Sequence, residues 1–229
     1  MRVLSRFLIV CAALLVIVPA AAGTDWSDNF DSYAAGNGLI GQGGWDGWDS
    51  SAAAEAFIVD SISLSTPNSV AIIPTTDIVQ EFAETAGDWY MTSWSYVPTG
   101  STGKQYFIML NNYTSGGAHV NADWSVEIEF DSGTGQLTDH YSTSTTPIIY
   151  DQWVEVKIDI HLAQNTYDIY YNSAFLASNA WQTGGADAIA ALDLFSDGGS
   201  TVFWDDCSLV EQPGALEQTT WGNIKTIMQ

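Results

Sequence analysis

In Trp153-Val154-Glu155-Val156-Lys157-Ile158-Asp159-Ile160-His161-Leu162 every even position is aliphatic and every odd position after Trp153 is polar. A period of two sustained over ten residues suits a strand with one face in a core and the other in water. Comparable runs recur at Trp89 to Pro98, Gln105 to Asn111, Trp124 to Asp131, Tyr167 to Asn172 and Ala188 to Phe195. Clusters of Gly, Asn, Asp, Ser and Thr separate them, and beyond residue 24 no long stretch carries helical periodicity. Asn165-Thr166 predicts a hairpin turn, and Gly133-Thr134-Gly135, Gly184-Gly185 and Gly198-Gly199 predict others. Many short strands between frequent turns define an all-β chain, most simply a two-sheet antiparallel sandwich.

Residues 1–23 stand apart. Arg2 and Arg6 precede an apolar run from Phe7 to Val18, and Pro19-Ala20-Ala21-Ala22-Gly23 follows, the layout of a secretory signal peptide with cleavage after Ala22 or Gly23. The expected product is secreted, extracellular or at a cell surface, with no membrane span in its mature form. Cys11 leaves with the leader, so Cys207 is the one cysteine remaining and no intrachain disulfide staples the fold. Stability then rests on the core, for which ten Trp, ten Tyr and nine Phe supply the filling. Cleavage leaves three basic against 27 acidic residues, a formal charge of −24. Nucleic acid is excluded as a partner, since phosphate binding needs clustered Lys and Arg. One domain is expected over residues 24–211, followed by a polar tail at 212–229. In that tail Trp221, Ile224 and Met228 fall at i, i+3 and i+7, which suits a short amphipathic turn docking onto a protein partner.

The two ends of the mature chain carry acidic, aromatic strand-like segments, Asp28-Asn29-Phe30-Asp31-Ser32-Tyr33 and Val202-Phe203-Trp204-Asp205-Asp206-Cys207-Ser208-Leu209. Alternation in the second places Phe203, Cys207 and Leu209 on one face with Asp205 among them, where an unpartnered carboxylate costs several kcal/mol. With so few basic residues, the expected relief is a hard cation shared with Asp28 or Asp31 across paired terminal strands. The alternative is satisfaction of Asp205 by backbone N–H groups. Cys207 reads as a buried, inert thiol.

These segments, taken with Gly41-Gln42-Gly43-Gly44-Trp45-Asp46-Gly47-Trp48, Asp151-Gln152-Trp153-Val154-Glu155 and Ile169-Tyr170-Tyr171-Asn172, resemble bacterial secreted domains of the concanavalin A-like lectin/glucanase superfamily, including laminin-G-like jelly rolls. The resemblance spans roughly residues 26–210. It implies a two-sheet antiparallel jelly roll with adjacent termini, carbohydrate binding as the commonest activity, and a structural calcium ion whose ligands fall on Asp28, Asp31, Asp205 and Asp206. Fold alone does not settle function in such a superfamily.

Glycan binding uses flat rings against sugar C–H faces, with amides and carboxylates fixing the hydroxyls. Trp45 and Trp48 are the first candidates, extended by Trp94 and Tyr96 on one strand face and by Asn111, Asn112 and Tyr113 at the end of the next strand. The competing reading is that tryptophans of a sandwich fill its core. A polysaccharide or cell-surface glycan is the expected ligand, bound without catalysis. The alternatives are a structural or adhesive matrix protein attached through its tail, and a glycoside hydrolase. The hydrolase reading draws on Glu127-Ile128-Glu129-Phe130-Asp131, whose three carboxylates share one strand face. The superfamily's glucanases carry Glu-x-Asp-x-Glu or a one-residue-longer form; here the last two types are exchanged, and the shorter acid draws its carboxyl back by a methylene. His119, His140 and His161 are spread along the chain without metal-ligand spacing.

Overall fold

The computed structural model describes residues 24–213. The leader at 1–23 and the tail motif of Trp221, Ile224 and Met228 lie outside the described residues. In chain order the strands are β1 (Trp26–Asp28), β2 (Trp45–Gly47), β3 (Phe57–Val59), β4 (Ser69–Ile72), β5 (Asp77–Glu84), β6 (Asp88–Tyr96), β7 (Lys104–Leu110) and β8 (Trp124–Asp131). They continue with β9 (Gln136–Asp139), β10 (Thr145–Pro147), β11 (Trp153–His161), β12 (Thr166–Tyr171), β13 (Ala174–Ala180), β14 (Ile189–Asp197) and β15 (Val202–Glu211). Two antiparallel sheets result. One runs β13-β12-β11-β6-β15-β4-β3 with β1 added against β15, and the other runs β10-β9-β8-β7-β14-β5-β2. This is the expected all-β jelly-roll sandwich.

Each long strand gives alternate side chains to the interior, as the period of two requires. Val154, Val156, Ile158 and Ile160 of β11 meet Val126, Ile128 and Phe130 of β8 and Phe107 and Met109 of β7 in one core. Trp204 fills its middle, 5.6 Å from the Phe107 ring and 5.7 Å from the Phe130 ring. The two acidic, aromatic segments near the ends of the described residues do pair: Trp26 lies opposite Leu209, Ser27 opposite Ser208 and Asp28 opposite Cys207.

Strict alternation fails in β15. The register slips between Asp205 and Ser208, where Asp206 takes the left-handed conformation (φ 46°) of a bulge. Val202 and Trp204 face the core before it, and Cys207 and Leu209 after it. Phe203 and Asp205 therefore stand on the outer side, opposite Tyr96 and Trp94. The expectation that Phe203 shares the core face with Cys207 is corrected: an extra residue resets the phase, and the larger Trp204 takes the interior. Asp205 is nonetheless fully buried, because the loop around Leu64 and Ser65 covers it.

Candidate functional site

The four aspartates expected to hold calcium meet protein donors instead. Asp28 accepts from the Phe30 N–H at 2.9 Å, the Tyr33 hydroxyl at 2.6 Å and the Trp45 indole N–H at 2.9 Å. Asp205 accepts from the N–H groups of Leu64 (2.7 Å), Ser65 (3.2 Å) and Asp206 (2.8 Å). Asp31 accepts from the Asn68 N–H and the Asn29 side chain, and Asp206 from the Ser65 hydroxyl. Oxygens already filled by N–H and O–H donors are poor ligands for a hard cation. Among the described residues no three His, Cys, Asp or Glu side chains gather as a metal cluster. The donor set does not fit the ion, and the relief of Asp205 is the backbone alternative. Burial still pushes the Asp205 carboxyl up to about 6, against the lowering effect of the N–H groups of Leu64 and Asp206. Adding EDTA to the purified protein is expected to leave its melting temperature unchanged. A calcium-dependent rise in that temperature would overturn this assignment.

A different place has the shape of a site. On the outer face of the seven-stranded sheet lies a cleft of about 820 Å³. Its floor is set by register: Glu127 of β8 lies opposite Ile108 of β7, and Ile108 opposite Asp193 of β14. The next row places Glu129 beside Tyr106, Tyr106 beside Phe195, and Phe195 beside Asp77. The Tyr106 and Phe195 rings stack at 5.5 Å.

One wall is aromatic. Trp48 stacks on Trp124 at 5.9 Å and packs on His119 at 4.7 Å, with Tyr113 behind at 4.9 Å. Two loops hold this wall. Asp49, left-handed at φ 53°, donates its N–H to the Tyr113 hydroxyl and accepts from the Gly116 N–H at 2.8 Å. The same Asp49 oxygen meets His119 Nε2 at 3.0 Å, and His119 and the Gly116 N–H hold that carboxyl below the usual range. Asp is among the few residue types that tolerate this backbone conformation.

The opposite side is polar. His140 spans two carboxylates, with Nδ1 at 3.1 Å from Glu127 and Nε2 at 3.2 Å from Glu129. Glu129 also receives Lys104 Nζ at 2.9 Å and the Tyr106 hydroxyl at 2.8 Å. Burial acts to raise the Glu129 carboxyl, but the hydrogen bonds from Lys104 and Tyr106 prevail and hold it below its ordinary value. Asp131 takes no part: its Oδ1 closes a turn onto the N–H groups of Gly133 and Thr134. The three-carboxylate arrangement of Glu127, Glu129 and Asp131 is therefore not assembled. Glu127 alone of the three lines the cleft.

The predicted platform residues are also dispersed. Trp45 is 1% exposed, in the core with its N–H on Asp28, so it offers no face to a ligand. Trp94 and Tyr96 lie on the outer side of the other sheet, where Tyr96 packs edgewise on Trp153 and Phe203. Asn111 is buried and ties the Ala122 carbonyl and Ser125 hydroxyl to the Ala186 N–H, and Asn112 bonds Asp123. Tyr113 buttresses the wall without lining it, and Trp48 is the predicted platform residue that lines the cleft. Residues passed over by sequence reasoning complete it: Trp124, His119, Tyr141, Asp77 and Asp193. A signal for Asp193 was present, since it interrupts the apolar run Ala190-Ala191-Leu192-Asp193-Leu194-Phe195.

No protein-family model matches this sequence, and no curated protein matches it. Among solved structures the chain is similar to a sialidase, with a TM-score of 0.57 and 7% identity over 82% of this chain and 18% of that one. It is also similar to the globular domain of T. cruzi calreticulin, with a TM-score of 0.55 and 8% identity over 88% and 94% of the two chains. The chain thus spans under a fifth of the sialidase's length. At these identities the likeness shows the fold alone, a two-sheet β-sandwich.

Proposed function

We propose that this chain is a secreted, non-catalytic carbohydrate-binding module that takes a polysaccharide or cell-surface glycan in the cleft on the seven-stranded sheet. The observation that carries the reading is the cleft's composition: stacked rings, Trp48 and Trp124, line the same cleft as the hydrogen-bonding side chains Glu127, His140 and Tyr141. Sugars have this two-sided chemistry, with C–H faces that pack on rings and hydroxyls that need fixed polar partners. Secretion rests on the leader sequence. Hydrolysis through Glu127, Glu129 and Asp131 is disfavoured, because Glu129 is neutralised by its donors and Asp131 points into a turn.

The test is a pull-down panel on insoluble polysaccharides with the mature protein, each with and without chelator. Binding is expected on at least one polymer and is expected to be insensitive to chelator. Trp124→Ala and Trp48→Ala are each expected to weaken it about tenfold, the equivalent of about 1.4 kcal/mol, as for a ring at the centre of a contact. Retention of no polymer would sink the reading, and so would binding that survives both substitutions.

A further inference from the structure

Two acids in the cleft floor are not needed to bind an ordinary sugar. Asp77 and Asp193 are diagonal neighbours on β5 and β14, since Asp193 lies opposite Val79 and Asp77 opposite Phe195. Asp193 is 3% exposed, and one oxygen of each, Oδ1, is shielded without any hydrogen-bond partner in the protein beyond the other acid. Burial raises both carboxyls above the ordinary range, Asp77 to about 6, and neighbouring buried acids disfavour the doubly ionised state. Glu127 adds a negative charge on the same row of the sheet, two strands from Asp193. Among the described residues that line the cleft there is no Lys or Arg, and Lys104 nearby is engaged by Glu129.

Acceptors short of donors, under-compensated negative charge and ring faces together describe a place for a cation. Ring quadrupoles attract an ammonium on their faces, and a buried acceptor without a partner gains most from a charged donor. A carboxylated or sulfated sugar meets repulsion from Glu127 and the acid pair, with no Lys or Arg in the lining and only His140, already on Glu127 and Glu129, to offset it. A neutral sugar satisfies the acceptors through hydroxyls but leaves the charge uncompensated.

Resting on the glycan reading above, we propose that the cleft selects glycans bearing free amines, polymers of 2-amino-2-deoxy sugars, over neutral and acidic ones. The ammonium sits between Glu127 and the Asp77–Asp193 pair, while the ring of the same or the adjacent sugar packs on Trp48 and Trp124.

The experiment is a calorimetric titration of the mature protein with four oligosaccharides of equal length: glucosamine, N-acetylglucosamine, glucose and galacturonate oligomers. The glucosamine oligomer is expected to bind about tenfold or more tightly than the N-acetylated and neutral ones, and the galacturonate oligomer not to bind. A chain of charge −22 attracts any polycation, so variants separate the local effect from the bulk one. Glu127→Gln is expected to reduce the preference about fivefold, the double variant Asp77→Asn/Asp193→Asn to do the same if its melting curve shows it folded, and Asp168→Asn on the other sheet to leave it intact. Equal affinity for amine and neutral oligomers overturns the selectivity and leaves the glycan reading standing. A preference that survives Glu127→Gln, or that Asp168→Asn lowers equally, shows bulk attraction and overturns the assignment to this cleft. Tightest binding of the acidic oligomer overturns it as well. Binding of none of the four overturns the inference and the glycan reading together.

Discussion

Replacing Asp28 by alanine is expected to destabilise the protein by about 4 kcal/mol, because three donors lose their acceptor at once and each costs about 1–3 kcal/mol when left unsatisfied. The donors are the Phe30 N–H, the Tyr33 hydroxyl and the Trp45 indole N–H, at 2.9, 2.6 and 2.9 Å. They come from β1's own exit turn and from β2 in the other sheet, so one carboxylate ties the turn at Phe30 to both layers. Phe30 is itself held in the left-handed region at φ 58°, a conformation that an aromatic residue does not choose unaided. Burial, together with the bond to Asp28, pushes the Tyr33 phenol well above its ordinary value, so it stays a donor at every practical pH. Asp28→Asn keeps one carbonyl oxygen and is expected to lose roughly half as much. Urea unfolding followed by tryptophan fluorescence measures both. A loss under about 1 kcal/mol for the alanine variant would show that the turn is fixed by packing alone.

Stability is expected to rise by at least about 3 kcal/mol between pH 7 and pH 5, opposite to the usual behaviour of a protein held by ionised carboxylates. Burial pushes Asp205 and Asp77 each up to about 6, and burial beside Asp77 raises Asp193 well above the ordinary range. In the unfolded chain all three release their protons near pH 3.9. Over this window the folded state therefore holds more protons than the unfolded one, and stability falls as pH rises. Each extra proton contributes about 1.4 kcal/mol per pH unit; Asp205 and Asp77 each hold about half an extra proton on average over the two units, about 3 kcal/mol together, and Asp193 adds in the same direction. Relief of repulsion in a chain of charge −22 acts in the same direction. Below pH 4 the sign reverses. Asp49, Asp151 and Glu129 have lowered carboxyls, and their contribution is lost as pH falls through those values. Thermal melts from pH 3.5 to 8 are expected to peak between pH 4 and 5; a melting temperature that climbs steadily to pH 7 would contradict the burial of these acids.

Much of the fold is written in local pattern. Trp124–Asp131 begins and ends where its alternation does, and the strands at Asp88–Tyr96, Lys104–Leu110 and Trp153–His161 depart from their sequence patterns by a residue or two. A period of two needs only near neighbours to express it, and turn residues supply the boundaries. The bulge in β15 was illegible, because one extra residue among Asp205, Asp206 and Cys207 reverses inside and outside with no mark in composition. Hence Phe203 and Trp204 exchange their expected places. Trp45 and Trp48 lie three residues apart in the same Gly-rich stretch, yet one is core and the other lines a cleft. The difference comes from Asp28, which takes the indole of Trp45, and from Asp49, whose partners Gly116 and His119 are some seventy residues away.

By itself the sequence determined an all-β sandwich, its principal strands and its strongly acidic character, since periodicity and charge are properties of the chain alone. Which acids are paired, which tryptophans are exposed and where a cleft opens were decided by the tertiary structure. Register brings Glu127 and Asp193 onto one row of one sheet across 66 positions of chain, and loop closure covers Asp205 with the N–H groups of Leu64 and Ser65. Side-chain chemistry depends on neighbours distant in sequence, and only the folded sheet specifies those neighbours.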